Sequence, residues 1–466
     1  MSAVAGGALG AEAGKPSSAL TPSSKRTNVL FVISDDLNMR LGCYGDDQVH
    51  SPNVDKLASS GMRFDRAYCQ YPLCGPSRAS FLTGLRPDTT RVVDGVAWLR
   101  DKLPKVKTLP QVFKENGYNT VRISKVFHDA RTTPDDPLSW DMAIEPYKTQ
   151  AGSKGIVHRY MPRRVKGVPL GPAVEAEGGD EDQPDGRAAS QAIRFLESRD
   201  TSQPFFLAVG LRMPHLSWVV PKRYFDMYDP AAIKLPEVRK DAWKNIPASA
   251  ITLRQFNYGF DEKTSREALR GYYAAVTFMD AQLGKLMDAL DRLHLADDTV
   301  FVFLGDNGWH VGEHGLWHKS TLFEESLRVP LIVRVPGMKA NGRSCNALVE
   351  CVDICPTLFD VCGLTGPSNL EGTSVRPLLN KPTTSWKTAA FSQQQRSGKK
   401  MGRSIRTERW RYTEWDEGRD GVELYDCAAD PHEFRNLAGD SAYSSQMADL
   451  KRRLRAGWKA AKPPAT

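Results

Sequence analysis

The chain has 466 residues, and its 63 Lys and Arg against 55 Asp and Glu give a formal net charge of +8. Hydrophobic residues make up 41% of the chain and charged residues 25%, which is the composition of a globular protein and excludes collagen-like, coiled-coil and wholly disordered chains. No run of about 20 apolar residues is present, so we predict no membrane-spanning helix.

The first 27 residues differ in composition from the rest. They are rich in Ala, Gly, Ser and Pro without periodicity, and we predict a disordered leader. Within it, Ala11-Glu12-Ala13 has the small-x-small form of a signal-peptidase site. Two readings stay open, namely the remnant of an export signal and a merely flexible leader.

Apolar runs and helical patterns then alternate along the chain. In chain order, strands are predicted at 28–34, 120–124, 204–210, 299–304 and 329–335, and helices at 52–60, 108–115 and 265–293. Short continuous apolar runs are typical of strands buried in a parallel sheet. The pattern therefore predicts an α/β fold with helices on both faces of the sheet.

Two further segments break this alternation. Residues 145–186 are rich in Gly and Pro and are predicted to be a long solvated loop, with a basic cluster followed by an acidic one. After about residue 385, short strands at 404–407, 410–415 and 422–426, then a helix starting near Asp430-Pro431, indicate a smaller antiparallel α+β domain. We accordingly divide the chain into a leader (1–27), a main domain (28–385) and a C-terminal α+β subdomain (386–466).

The net positive charge is scattered. The densest basic run, at Lys451, Arg452, Arg453 and Arg455, is interpreted as the solvated face of a helix. No zinc-finger spacing or RNA-binding aromatic motif accompanies it, so we predict no nucleic-acid partner. A basic surface can still attract a polyanionic substrate over long range.

Acidic and amide side chains follow two of the predicted strands. Asp35 and Asp36 come directly after the first strand, and Asp306 and Asn307 follow the strand at 299–304. In open α/β sheets, ligands bind beyond the carboxyl ends of the strands. This convergence is the first indication of a functional site.

The stretch Cys74-Gly75-Pro76-Ser77-Arg78 carries the strongest signal. Pro76 suits the first position of a helix, which would leave Cys74 at its N-cap end. The helix dipole there favours an anion beside residue 74, and Arg78 lies one turn further on the same face.

This string resembles the C-x-P-S-R motif of the type I sulfatases, in which the Cys is oxidised after translation to formylglycine. Other matches fall in the same order along nearly the whole chain, at 34–37, 41–45, 51–55, 83–88, 125–128, 312–315, 401–407 and 410–413. The likeness is greatest to the iduronate-2-sulfatase branch, although Asn307 follows the wider family where that branch carries His. It implies an alkaline-phosphatase-like sandwich with a large, mixed, mostly parallel sheet and a short antiparallel sheet in the C-terminal subdomain.

The resemblance also implies a metal centre. Asp35, Asp36, Asp306 and Asn307 match the cation ligands of the family, and the formylglycine formed from Cys74 completes the set. All of them offer oxygen, which suits Ca²⁺, with Mg²⁺ as the alternative.

The mechanism implied by the family begins with a hydrated formylglycine. One hydroxyl of the diol attacks sulfur, while Arg78 and Lys125 hold the diol and the sulfate charge. His215 and Lys319 bind sulfate, and one of them protonates the leaving alcohol. His128 then takes a proton from the remaining hydroxyl, so that sulfate is released. His314 and His318, which flank this region, are assigned to packing or to hydrogen bonds that support the site residues.

Substrate recognition is less constrained. Trp309 is predicted to stack on a sugar ring or to lie in the core, and Arg91, Asp94 and Trp98 lie in a loop that either selects the sugar or is simply surface. We predict hydrolysis of O-sulfate esters of a sulfated saccharide, of glycosaminoglycan or algal origin, by an exported protein, periplasmic or secreted, that is matured by a formylglycine-generating enzyme. The alternatives are an arylsulfatase, a two-metal phosphodiesterase-type hydrolase, and an inactive protein that binds sulfated glycans.

Overall fold

The computed structural model describes residue 1 and residues 26–128, 136–146, 154–158, 172–239, 241–251 and 256–463. All but Met1, Arg26 and Thr27 of the predicted leader, including the small-x-small site, lies outside the described residues. The same holds for the basic cluster of the 145–186 loop, Arg159, Arg163, Arg164 and Lys166.

The described residues form fifteen strands and twelve α-helices. The strands are β1 Asn28–Asp35, β2 Met62–Tyr68, β3 Asn119–Ser124, β4 Met142–Ile144, β5 Gly155–His158, β6 Ala173–Ala176, β7 Phe205–Pro214, β8 Trp218–Pro221, β9 Thr299–Gly305, β10 Arg328–Arg334, β11 Ser344–Glu350, β12 Ala390–Gln395, β13 Met401–Arg406, β14 Trp410–Trp415 and β15 Val422–Asp426. The helices are α1 Pro52–Ser60, α2 Cys74–Thr83, α3 Pro87–Thr90, α4 Leu99–Lys102, α5 Leu109–Glu115, α6 Pro184–Ser198, α7 Lys222–Phe225, α8 Glu262–Arg292, α9 Glu324–Leu327, α10 Ile354–Val361, α11 Arg376–Asn380 and α12 Ser444–Ala460.

A central eight-stranded sheet organises the chain in the order β11-β2-β10-β9-β1-β7-β3-β4. Five of its seven pairings are parallel, and β10 runs antiparallel to both of its neighbours. Every residue of β1 is buried, because this strand lies inside the sheet with both faces covered. The predicted mixed, mostly parallel sheet is therefore confirmed.

Helices cover both faces of this sheet, and each face has its own core. Alternate residues of β1 divide between the two: Leu30 and Val32 pack with α1, α6 and α8, whereas Phe31 and Ile33 pack with α2, α5 and α10. The N-cap of the long α8 is Asp261, whose side chain accepts a hydrogen bond from the backbone N–H of Thr264. The 3.6-residue repeat that predicts this helix corresponds to its buried stripe against the sheet.

The segment 145–186 is not wholly a solvated loop, and this prediction was wrong for its described part. There β6 pairs with β5 on one side and with β8 on the other, in a three-stranded sheet. All four residues of β6 are buried, and Glu175 within it pairs with Arg270 of α8 at 3.0 Å. The strand was missed because its four residues, Ala-Val-Glu-Ala, are too few to show the alternation of apolar and polar side chains that identifies a strand.

The C-terminal region has the predicted antiparallel sheet, β12-β13-β14-β15, with α12 packed on it. The helix predicted near Asp430-Pro431 is absent at that position, and α12 begins only at Ser444. Instead, Asp430 accepts a hydrogen bond from the backbone N–H of Arg435 at 2.8 Å, which closes a turn, and the buried Glu433 pairs with Arg411 of β14. The basic run from Lys451 onwards lies on α12 as predicted.

Two further findings concern covalent links and membranes. The eight cysteines, all within the described residues, form no disulfide. Among the described helices, none combines the length and the hydropathy needed to span a bilayer. The boundary between residues 385 and 386 stays a prediction.

Candidate active site

Four neighbouring parallel strands deliver polar side chains to one edge of the central sheet. These strands are neighbours in the order β9-β1-β7-β3. Asp306 and Asn307 follow β9, and Asp35 is the last residue of β1. His215 follows β7, and Lys125 follows β3. Because parallel strands end at the same edge, residues far apart in sequence meet there. Asp36 turns the chain away from β1 with a positive φ of 62°.

Cys74 is the first residue of α2, with Leu73 as the N-cap. Pro76 is thus the third helical residue, and the prediction that it begins the helix was wrong by two positions. The thiol Sγ of Cys74 lies 3.0 Å from Asp35 Oδ1 and 3.6 Å from Asp36 Oδ1, and the ammonium of Lys319 approaches it to 2.7 Å. Burial, followed by the negative charge of Asp35, raises the pKa of this thiol well above its ordinary value.

Arg78 stands one turn behind Cys74 and is completely buried. Its Nε donates to Asp306 Oδ2 at 2.7 Å, its Nη2 lies 3.6 Å from Asp35 Oδ1, and its Nη1 donates to the carbonyl of Val126 at 3.0 Å. The guanidinium therefore ties the helix to two of the strand ends and fixes a positive charge beneath the thiol.

The carboxylates of the site are paired with lysines. Lys125 contacts Asp35 Oδ2, and Lys319 contacts Asp36 Oδ1. Burial alone would raise the pKa of Asp35, but the positive charges of Lys125, Arg78 and Lys319 outweigh it and hold the pKa well below its usual value. For Lys319, burial alone would lower the pKa, but Asp36 and the other anionic neighbours outweigh it and raise the pKa above its usual value.

Two oxygen atoms of this cluster have no hydrogen-bond partner among the described residues although they are buried, Asp36 Oδ2 and Asn307 Oδ1. Unpaired buried oxygens are costly unless something else satisfies them. Candidate ligand atoms of Asp35, Asp36, Cys74 and His215 lie within 4.8 Å of one another. The two carboxylates of this set, together with the unpaired amide oxygen of Asn307, fit a hard divalent cation.

Asp306 is placed differently from the other predicted ligands. Its Oδ1 accepts from the backbone N–H groups of Asp36 and Asn307 at 3.0 and 2.8 Å, and its Oδ2 accepts from Arg78. Burial, only partly offset by Arg78, raises the pKa of Asp306 to about 6. The contacts show Asp306 organising the turn and the arginine, and its role as a metal ligand stays a prediction.

Two histidines flank the cluster. His215 Nε2 is 3.7 Å from Asp36 Oδ2, while its Nδ1 is 2.6 Å from the carbonyl of Leu216. Because a carbonyl only accepts, Nδ1 carries a proton and the neutral ring presents the lone pair of Nε2 to the site. Burial, followed by the positive charge of Lys125, lowers the pKa of His128 to about 3, so that this ring is neutral and able to accept a proton.

The four residues predicted to bind substrate do not cluster around Cys74 as the predicted catalytic residues do. Arg91 is exposed at the end of α3, and the carboxylate of Asp94 accepts from the backbone N–H groups of Val96 and Ala97. Trp98 packs edge-on against Phe127, and Trp309 is 4% exposed, with its indole 5.9 Å from the Lys319 ammonium. The backbone of Asp94 nevertheless lies against Gly75, where a Cβ would come within 2.9 Å of its carbonyl.

Sequence reasoning missed two residues that support the site. The hydroxyl of Tyr272 on α8 donates to the carbonyl of Asp36 at 3.1 Å and accepts from the backbone N–H of Asn38 at 3.0 Å. Asp185 on α6 accepts from the backbone N–H groups of Arg212 and Met213, both at 2.8 Å, just ahead of His215. No local motif surrounds either residue, so no signal in the sequence identifies them.

The histidines near Lys319 are buried in packing contacts, as predicted. His314 stacks on Phe323 with ring centroids 4.2 Å apart, and His318 Nδ1 lies 3.0 Å from the hydroxyl of Tyr258.

Comparison with family models gives two matches. The model described as "Sulfatase" matches residues 27–364, and the model described as "N-sulphoglucosamine sulphohydrolase, C-terminal" matches residues 312–460. Among characterised relatives, the chain is 34% identical to human (Homo sapiens) iduronate 2-sulfatase over 89% of its own length and 91% of that protein.

Solved structures of similar fold cover almost the whole chain. One is a protein in complex with its substrate D-glucosamine-2-N,6-O-disulfate, with a TM-score of 0.75, 24% identity, and coverage of 94% of this chain and 99% of that one. Another is the phosphonate monoester hydrolase of Agrobacterium radiobacter, with a TM-score of 0.79, 23% identity, and coverage of 93% and 96%. The likeness confirms the alkaline-phosphatase-like sandwich predicted from the sequence.

Proposed function

The chain belongs to the sulfatase family, and from that premise we propose that it hydrolyses O-sulfate esters of a sulfated saccharide. The single observation that carries the proposal is the position of Cys74. The motif cysteine stands at the start of a buried helix, within contact of two carboxylates and a lysine, at the edge where four parallel strands end. The similarity to iduronate 2-sulfatase supports a saccharide substrate.

The site is suited to a divalent cation and to a formylglycine at position 74. Asp35, Asp36 and Asn307 would hold the cation through their oxygens, with Ca²⁺ as the first choice and Mg²⁺ as the second. When present, the two groups supply a nucleophilic hydroxyl and polarise the sulfate oxygens. The remaining chemistry belongs to the side chains of the chain itself.

The three buried or half-buried cations would bind the sulfate group. Arg78 is fixed by Asp306 and the carbonyl of Val126, so its charge needs no rearrangement when an anion arrives. Lys125 and Lys319 are flexible enough to exchange a carboxylate oxygen for a sulfate oxygen. Fixed positive charge in a buried site is worth more than the same charge in water, because it is not screened.

Proton transfer falls to the neutral histidines and to Lys319. His128 is neutral and its Nδ1 has no hydrogen-bond partner among the described residues, so it can take the proton that accompanies release of sulfate. On the opposite side, we assign protonation of the leaving alcohol to the Lys319 ammonium. His215, whose Nε2 carries a lone pair, would accept a hydrogen bond there and has no proton on that nitrogen to donate.

Export and maturation complete the proposal. The small-x-small sequence near the N-terminus supports an exported protein, and a formylglycine-generating enzyme would act on Cys74. In the folded chain, only 1% of Cys74 is exposed.

The test combines a mass measurement with an activity assay. The peptide that spans residue 74 should be lighter than its unmodified form by the difference between H₂S and O, and the protein should release sulfate from some member of a panel of sulfated disaccharides and of algal and animal polysaccharides. Cys74→Ala should abolish turnover while circular dichroism stays unchanged. An unmodified thiol in protein that actively releases sulfate would refute the mechanism, and hydrolysis of phosphodiesters with no sulfate release would refute the function.

A further inference from the structure

A second polar cavity, of about 700 Å³, lies away from the candidate active site. One wall is formed by β2 and the edge strand β11 of the central sheet. The other is formed by the segment 382–388 ahead of β12, by the turn between β13 and β14, and by Arg453 of α12. None of the residues gathered around Cys74 lines it, so it is a separate feature of the molecule.

The lining is strongly basic. Five cations line the cavity, Arg66, Arg343, Lys387, Arg409 and Arg453, against one acidic residue, Glu408. Part of this positive charge is neutralised by carboxylates of the chain itself.

Two of the cations are neutralised internally. Lys387 is buried between Glu350 and Asp353 at 2.8 and 2.5 Å, and Arg409 pairs with Asp426 at 2.7 Å. Arg453 has only a distant carboxylate, Asp449 at 3.9 Å, and also donates to the carbonyl of Thr388. These pairs account for part of the charge but not for all of it.

The other two cations have no carboxylate within 4.0 Å in the described part of the chain. Arg66 donates to the backbone carbonyls of Asn346 and Glu408, which do not cancel its charge. Arg343 is exposed on the segment that enters β11, and its side chain has no hydrogen-bond or ion-pair partner among the residues that the structure describes. The cavity therefore carries uncompensated positive charge from Arg66 and Arg343 on the wall formed by β2 and β11, and Arg453 with its distant carboxylate adds to it from the other wall.

The remaining lining is of the kind that binds carbohydrate. Side-chain hydroxyls are contributed by Ser344 and by the threonines at 383, 384 and 388. Trp386 is buried in the wall, and its indole N–H has no acceptor among the described residues. The volume falls within the range of about 300–1,000 Å³ that is usual for ligand sites and far exceeds the space needed by one oxyanion.

We propose that this cavity is a second binding site for sulfated saccharide, which holds a part of the chain other than the ester being hydrolysed. The inference rests on the proposed function for its choice of ligand. Guanidinium groups pair with sulfate oxygens by charge-assisted hydrogen bonds, and cations on opposite walls suit several sulfate groups spaced along one saccharide. The site would favour oligomeric over monomeric substrates.

The test measures binding by isothermal titration of the full-length protein with a short dextran sulfate, with unsulfated dextran and inorganic sulfate as separate arms at fixed ionic strength. The variant is Arg343→Glu, and Arg343→Lys keeps the charge. The matched control is Arg194→Glu, which reverses an exposed arginine of α6 that has no carboxylate partner in the described structure.

Arg343→Glu should weaken dextran sulfate binding by at least about tenfold, because it removes a charge-assisted hydrogen bond to sulfate and places a like charge beside it. Arg343→Lys should recover most of the affinity, and Arg194→Glu should change it by less than about twofold. Equal losses in Arg343→Glu and Arg194→Glu would show general charge attraction and overturn the proposal. A loss confined to inorganic sulfate would also overturn it. Since binding is measured without turnover, failure of the proposed function would show separately, as absent sulfate release by the unsubstituted protein.

Discussion

Gly210 of β7 has no space for a side chain, because the backbone of Lys125, a candidate catalytic residue, packs directly against it. A methyl group added at Gly210 would lie 1.8 Å from the carbonyl oxygen of Lys125 and 2.2 Å from its carbonyl carbon. Ordinary contact begins near 3.4 Å, so the backbone of Lys125 would have to retreat by roughly 1.5 Å. Backbone atoms cannot rotate out of the way as a side chain can.

Gly210→Ala should therefore lower kcat/KM by about 100-fold. The Lys125 ammonium contacts Asp35, and its carbonyl accepts from Arg78, so one displacement moves two of the cations that would bind sulfate. A misplacement of about 1 Å at a reacting centre costs on the order of 100-fold in rate. The assay is sulfate release from an aryl sulfate, with kcat/KM corrected for the folded fraction measured by urea unfolding.

The control is a glycine whose substitution also causes a clash but far from the site. At Gly284 of α8, a Cβ would lie 2.5 Å from the side chain of Asn53 on α1. Gly284→Ala should cost stability with kcat/KM per folded molecule within about twofold of the unsubstituted protein. The reasoning would be refuted if folded Gly210→Ala lost no more activity than Gly284→Ala.

Three further outcomes are expected. Asp185→Asn removes one of the two carboxylate oxygens that accept from the backbone ahead of His215. We expect a loss of about 1–3 kcal/mol in the free energy of unfolding, measured by urea unfolding, and about a tenfold fall in kcat/KM, measured by sulfate release. Unchanged turnover would show that Asp185 does not position His215. Treatment with a chelator should abolish turnover with little change in Tm, and Ca²⁺ or Mg²⁺ should restore it; undiminished turnover after metal removal, checked by elemental analysis, would contradict the metal site. Burial tends to raise the pKa of Glu350, but Arg86 and Lys387 outweigh it and lower the pKa to about 2. This group should therefore contribute at most about 3 kcal/mol of stability, present above pH 4.5 and lost as the pH falls to about 2. Glu350→Gln should flatten that part of the curve of unfolding free energy against pH, and an equally steep fall in the variant would refute the assignment.

The features that could be predicted from the sequence are those set by local pattern. Buried parallel strands appear as uninterrupted apolar runs, and the acidic pair Asp35-Asp36 directly follows one of them, so both the sheet and its functional edge were predictable. The string from Cys74 to Arg78 is equally local, since helix start, thiol and cation lie within five residues.

The rest depends on contacts between distant residues. Lys319 and Asp36 are 283 positions apart and meet only because the loop after β9 returns over β1. The resemblance to a family supplied Lys319, whereas Tyr272 and Asp185 had no such source and were missed. The strands β5 and β6 were missed for a related reason, since a strand of four residues gains its stability from its partner rather than from its own propensity.

The charges of the site explain why it can remain folded and still favour an anion. Asp35, Asp36 and Asp306 face Arg78, Lys125 and Lys319, so the buried charges balance without any bound ion, and burying either set alone would be costly. With a divalent cation also held by the carboxylates, the site would carry a net charge of about +2. This positive charge suits a sulfate ester and the further negative charge that develops on its oxygens. The balance in the free protein is the reason that chelation is expected to stop turnover while the fold persists.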